Sequence, residues 1–379
     1  MNTKKLYYDD CHLEKFSATV LSCEQVEKGY EVILDATAFY PEGGGQASDI
    51  GFLGDVQVLH CKEEHDAIIH LCNGPLTVGK TVEGQINYAH RFDLMQQHTG
   101  EHILSGIIHE KYGYHNTGFH VSSDTVTVDF DGMIPPEEIL DLELSANMVV
   151  WENRPVRCGY PSPEELPTIP YRSKRELPWP VRIVEVPGTD ICACCGVHVA
   201  YTGEVGCIKI LSCIKFHQGV RMEMVCGSRA FRWYHNVYEQ NRLVSQAFSA
   251  KVLETGAAAQ KMNEMLAAEK FRANNLQKQV FDAMANRYQG TKNPVHFEAD
   301  LAPGSVRELA DCSAKVCIGT ATVYSGNDTD GYTICLIGSD AKELGAKAAS
   351  ALNGRGGGKP GSFQGSLKAT RNEIVEHFK

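Results

Sequence analysis

Alternation of apolar and polar positions marks the first part of the chain. Runs such as YEVILDATAFY (30–40) and DVQVLHC (55–61) read as half-buried strands, and turn clusters such as PEGGGQASDIG (41–51) and CNGP (72–75) separate them. From about Arg91 the period lengthens. In FDLMQQHTGEHILSGIIHEKYG (92–113), Phe92, Met95, Leu104, Ile107 and Ile108 recur at helical spacing, and Gly113 suits a stop. A strand, DTVTVDF, and an acidic helix opening at MIPPEEILDLE follow. From Val181 to about Ala230 the pattern mixes strands and turns. Residues 232–286 return to a helical period. Leu243, Ala247, Phe248 and Val252 share one face, and Ala258, Met262, Met265, Ala273, Leu276 and Val280 continue it. Thr255-Gly256 interrupts this stretch, which predicts two helices packed as an antiparallel hairpin; one kinked helix is the alternative. The last ~90 residues alternate strand-like runs (VCIGTATVYSG, YTICLIG) with helical ones (AKELGAKAASAL, TRNEIVEHF), as a small α/β domain does.

Composition narrows the setting. The 379 residues are enough for two or three domains at roughly 100–200 residues each. The start has no apolar core of a signal peptide, and no apolar run approaches the ~18 residues of a membrane span, so neither is expected. Fourteen scattered cysteines then read as reduced thiols in the cytoplasm. The net charge of −11 means that any grip on nucleic acid must come from local patches.

The candidate chemistry lies in two short pairs. HTGEH (98–102) places His98 and His102 on one helical face, four residues apart. CCGVH (194–198) offers Cys194 and His198. Neither pair closes a coordination sphere alone; together they supply four donors of the softness that suits zinc. An HxxxH on an amphipathic helix is more often chance, and fifteen histidines make chance pairings easy. Cys192 and Cys195 also form a CxxC, but a looped, strand-bounded context argues against a thioredoxin-like redox motif. HTGEH is not HExxH, and Glu101 lies about 100° around the helix from His102, off the ligand face. An ion with an open position would activate water; one with a closed sphere would be structural. Spacing alone does not choose.

HTGEHIL and CCGVHVAYTGEVGCIKI resemble the HxxxH and CxxxH motifs of the editing domain of alanyl-tRNA synthetase. TAFYPEGGGQASDIG (37–51) is similar to its glycine-rich motif, GVRMEMVCGSRA (219–230) to its closing strand, and NGRGGGKPGSFQGS (353–366) to the signature of the synthetase's C-terminal domain. Five motifs in order resemble the long form of AlaX, the free-standing alanyl-tRNA editing proteins. No aminoacylation segment and no DHH triplet stand among them. The resemblance implies an α+β fold: an N-terminal β-barrel (1–87), an α/β zinc-containing editing domain (88–231), a helical hairpin connector (232–288) and a small C-terminal α/β domain (289–379). It implies Zn2+ on His98, His102, Cys194 and His198, a serine-sensing Thr37, and Gln46 beside the pocket. The implied partner is tRNA(Ala) charged with serine or glycine, and the implied reaction is hydrolysis of the ester. Differences of one hydroxyl or methyl are worth only ~1–3 kcal/mol, which is why editing sites exist. The family's common CGGTH is CCGVH here, with Cys195 and Val197 for glycine and threonine, and Ala47 stands where proline is common after GGGQ.

Two further features are weighed. The glycines at 43–45 read first as a tight turn. In GRGGGKPGSFQG, Arg355 and Lys359 flank three glycines, which suggests contact with the tRNA backbone; no Ser or Thr follows Lys359, so it is no P-loop. Arg172, Lys174 and Arg175 form a second basic cluster that equally suits a solvated loop. A homodimer through the C-terminal half fits the apolar helical stripe. The rival functions are a deacylase for another aminoacyl-tRNA and a zinc-stabilised RNA-binding scaffold.

Overall fold

The computed structural model describes residues 2–173 and 177–377. Lys174 and Arg175 of the second basic cluster lie outside them. The chain forms two compact units, Met1–Arg242 and Leu243–Lys379, and the class is mixed α+β.

In the first unit, six strands pair in a ring: Lys15–Val26, Gly29–Leu34, Ala67–Cys72, Val56–Glu64, Gly51–Leu53 and Thr81–Ile86, with the last returning to the first as a closed barrel. Inward positions alternate as the sequence pattern requires: Phe16, Ala18 and Val20 on the first strand and Val32 and Leu34 on the second fill the barrel.

Helix α1 (Tyr88–Tyr112) leaves the barrel through Asn87, whose side chain caps the His90 N–H at 3.2 Å, and stops at Gly113 in the left-handed region (φ 73°). Its middle, from Leu94 to Gly106, is buried without a break. The amphipathic face of the sequence is therefore only part of what α1 buries, and its polar residues are interior groups. One flank carries α2 (Ile139–Trp151). A four-stranded antiparallel sheet runs in the order Ile208–Phe216, Gly219–Cys226, Val126–Phe130, Asn116–Val121. A three-stranded sheet joins Arg157–Gly159, Ile183–Val186 and Asp190–Ala193. Arg91 on α1 is fully buried and ties helix to barrel: it donates to Asp49 Oδ1 at 2.8 Å and to the Ala38 carbonyl at 2.6 Å.

Helix α3 (Gly227–Phe248) crosses the boundary between the units. The break in the helical stretch falls earlier than expected. Ser249 turns into the left-handed region (φ 50°), a short 3-10 turn covers Val252–Glu254, and α4 (Thr255–Asn286) begins where Thr255-Gly256 was expected to break it. The expected hairpin core is also absent among the described residues: Leu243, Met262, Met265, Leu276 and Val280 are exposed. Only Phe281 and Ala285 of α4 are buried, and they pack with α5 (Pro303–Val316) in the second unit. That unit carries a five-stranded sheet in the order Val295–Glu298, Ala321–Asn327, Gly331–Ile337, Ser362–Leu367, Arg355–Gly357, with α6 (Ala341–Ala351) and α7 (Arg371–His377). Among the described residues, no helix is long and apolar enough to cross a membrane.

Candidate metal centre

The two pairs meet. One donor atom from each of His98, His102, Cys194 and His198 lies within 4.8 Å of the others. The rings of His98, His102 and His198 sit 4.6–5.3 Å apart, and Cys194 Sγ is 3.4 Å from His98 Nε2. Three of the four are buried and Cys194 is half-buried.

Each imidazole is aimed by its other nitrogen. His98 Nδ1 meets Gln46 Oε1 at 2.8 Å, and His102 Nδ1 meets Asp190 Oδ2 at 2.9 Å. Both partners only accept, so Nδ1 carries the proton and Nε2 keeps its lone pair for the centre. His198 Nδ1 meets Thr99 Oγ1 at 3.2 Å, and its Nε2 is buried with no hydrogen-bond partner. An unpaired buried acceptor is costly. Three inward nitrogens, one sulfur and an orphaned lone pair fit a tetrahedral zinc ion. Asp190 is itself held by Arg172 Nε at 2.7 Å.

The charges of the four groups are coupled. Burial alone raises the Cys194 thiol, but the three histidines that face it outweigh this and hold the thiol well below its usual range. Burial works against the His102 imidazolium, yet Asp190 and Cys194 hold its pKa well above the ordinary value. Burial drives His198 down to about 3.

Backbone shape makes the convergence fit. A Cβ on Gly196 would stand 2.2 Å from His98 Cε1, so only glycine lets the CCGVH turn close on α1. Arg182 clamps that turn, donating to the Cys194 carbonyl at 3.0 Å and to the Gly196 carbonyl at 2.8 Å, with its guanidinium 4.3 Å from the Tyr8 ring centre. The PEGGGQ turn is a tight one. Gly43 and Gln46 exchange backbone hydrogen bonds, and Gly45 (φ 83°) abuts Phe119, where a Cβ would come within 2.6 Å.

A cleft of about 640 Å³ opens beside the centre. His98, His102 and Cys194 line it, with Tyr8, Phe119, Arg172 and Arg182 among its walls. Glu101 and Asn116 line it too. Gln46 is bonded to His98 and is not among the cleft's lining residues. Thr37 is not among the cleft's lining residues: it is fully buried, bonded to His70 Nε2 at 2.8 Å, and accepts the Phe39 N–H. Arg355 opens an exposed edge strand and Lys359 lies exposed in the following turn, in the second unit; neither has a carboxylate partner among the described residues.

Sequence reasoning missed Asp190, Thr99 and Arg182. Asp190 had a signal: along an extended segment Asp190, Cys192 and Cys194 alternate onto one face. Nothing in the sequence marks Thr99 or Arg182.

Residues 2–90 match the family model described as class II (A) tRNA synthetases, and residues 181–222 match the second additional domain of threonyl and alanyl tRNA synthetases. The alanyl-tRNA editing protein Aarsd1 of Danio rerio is 25% identical over 95% of this chain and 93% of its own length; that of Mus musculus is 26% identical over 96% and 93%. The chain resembles the alanyl-tRNA editing proteins over nearly its whole length. An alanine–tRNA ligase of Thermofilum pendens is 32% identical over 98% of this chain, which spans 43% of that ligase's length.

Proposed function

We propose that this protein is a cytoplasmic trans-editing hydrolase that deacylates tRNA(Ala) mischarged with serine or glycine, at a zinc centre held by His98, His102, Cys194 and His198. The observation that carries the reading is the convergence of four donors, from pairs 92 residues apart, three of which line a cleft large enough for an aminoacyl-adenosine. The likeness to editing proteins over nearly the whole chain supports the substrate class.

A bound zinc would supply Lewis acidity toward the ester carbonyl and lower the pKa of a coordinated water. The chain's own residues do the rest. Gln46, Asp190 and Thr99 fix the three imidazoles. Arg182 and Tyr8 hold the CCGVH turn against the cleft. The aromatic rings of Tyr8 and Phe119 offer surfaces for a terminal base. Arg355 and Lys359 are assigned to tRNA phosphates. Thr37 senses serine in this reading only by exchanging His70 for the substrate hydroxyl. A homodimer through the C-terminal half belongs to the same proposal, supported by the apolar side chains that α4 leaves exposed.

One observation favours a second reading. Four protein ligands close a tetrahedral sphere, which is the habit of structural zinc; the protein would then be a zinc-stabilised tRNA-binding scaffold. Hydrolysis of Ser-, Gly- and Ala-tRNA(Ala) by zinc-quantified protein separates the two, beside His98→Ala and Cys194→Ala. Release of serine or glycine with alanine spared, lost in folded variants, is the expected result. No release from any of the three by zinc-loaded, folded protein would establish the scaffold reading instead.

A further inference from the structure

The lining of the cleft includes a buried carboxylate and an amide oxygen without a partner. Glu101 is 4% exposed and sits one residue before His102 on α1. Its Oε1 accepts from Ser105 Oγ and Asn116 Nδ2, each at 2.5 Å. Asn116, on a different element, is 8% exposed, and its Oδ1 is buried with no partner at all. An unpaired amide oxygen and a buried carboxylate from two elements therefore line one cleft, although acceptors buried as deeply as Asn116 Oδ1 are almost always paired. Arg172, which also lines the cleft, has its Nε bonded to Asp190.

We propose that Glu101 and Asn116 form a subsite for a protonated primary amine, the α-ammonium of the aminoacyl ester. An ammonium brings up to three N–H donors and one positive charge, which answers both the unpaired oxygen of Asn116 and the carboxylate of Glu101. The subsite gives Glu101 a role that differs from ligation. It faces the cleft off the ligand face of α1, and it would hold the amino end of the substrate so that the ester carbonyl points to the quartet. The inference rests on the aminoacyl-ester reading above. It adds a requirement to it: the substrate's amine must be free and charged.

The test is binding of two non-hydrolysable probes, 3′-serylamino-3′-deoxyadenosine and its N-acetyl derivative, to zinc-quantified full-length protein by titration calorimetry. Unmodified protein is expected to bind the free amine about 10- to 100-fold more tightly than the acetylated probe, the range of a charge-assisted bond. Glu101→Gln keeps the shape and an acceptor for Ser105 and Asn116, and is expected to erase that preference by weakening the free-amine probe alone. If unmodified protein binds both probes equally, the ammonium subsite is refuted while the aminoacyl-ester reading stands. If Glu101→Gln weakens both probes alike with zinc retained, Glu101 is structural and the proposal falls. If neither probe binds, the ester reading falls, and the subsite with it. Because the comparison of probes on unmodified protein needs no variant, a misfolded Glu101→Gln does not shield the proposal.

Discussion

At the scale of single residues, the site depends on more than its four donors. Gly196 is the sharpest case. Its missing side chain is the space into which the His98 ring fits, so Gly196→Ala is expected to displace His98 and bring zinc per chain well below that of the parent at unchanged solubility. Full zinc occupancy in Gly196→Ala, by metal analysis after dialysis, would show that the turn has slack the geometry denies. His70 makes a second prediction. It is wholly buried beneath Thr37, and burial holds its pKa at about 4 against 6.5 in the unfolded chain. Between those values the unfolded chain binds the proton and the folded one does not, so stability falls as pH drops through that window. The loss is about 2 kcal/mol at about pH 5 relative to about pH 7.5. Urea unfolding of His70→Gln at both pH values should show a pH dependence smaller by that amount. An identical dependence in parent and variant would mean that His70 is not the group that titrates. The quartet itself was legible residue by residue, because metal donors recur at fixed spacing. The groups that aim it were less so: Gln46 came through the resemblance of the glycine-rich motif, whereas Thr99 is an ordinary polar residue whose value is purely positional.

At the scale of elements, α1 carries the account. Its ends were readable, since Gly113 stops it as a left-handed cap. Its burial was not. A 3.6-residue stripe announces one apolar face, whereas α1 is enclosed by the barrel side, α2 and two sheets, so its polar residues are interior groups that must find partners. The helical stretch after Ala230 misled for the complementary reason. Apolar periodicity reports a face that wants cover but not what covers it, and here Met262, Met265 and Leu276 remain open. The helix–barrel tie through Arg91 gives a prediction at this scale. Arg91→Met leaves Asp49 buried without its cation and is expected to cost about 3–5 kcal/mol in urea unfolding, while Arg91→Met with Asp49→Leu recovers much of the loss. A single variant as stable as the parent would show that the tie contributes nothing.

At the scale of the whole molecule, the chain brings together in one unit what the sequence holds apart. A barrel, a buried helix and a looped strand segment each supply part of the centre: Gln46 from the barrel's glycine turn, His98 and His102 from α1, Cys194 and His198 from the turn after Asp190–Ala193. The basic glycine loop with Arg355 and Lys359 belongs to the second unit, which has its own sheet and core. That division of labour, chemistry in one unit and phosphate contact in the other, is the form the proposed tRNA deacylase takes. Everything in it rests on two pairs closing one coordination sphere. X-ray absorption at the zinc edge of the purified full chain tests this most directly. The account predicts one zinc per chain with three nitrogen neighbours at about 2.0–2.1 Å and one sulfur at about 2.3 Å. A metal-free protein, or a zinc shell without sulfur, would contradict it.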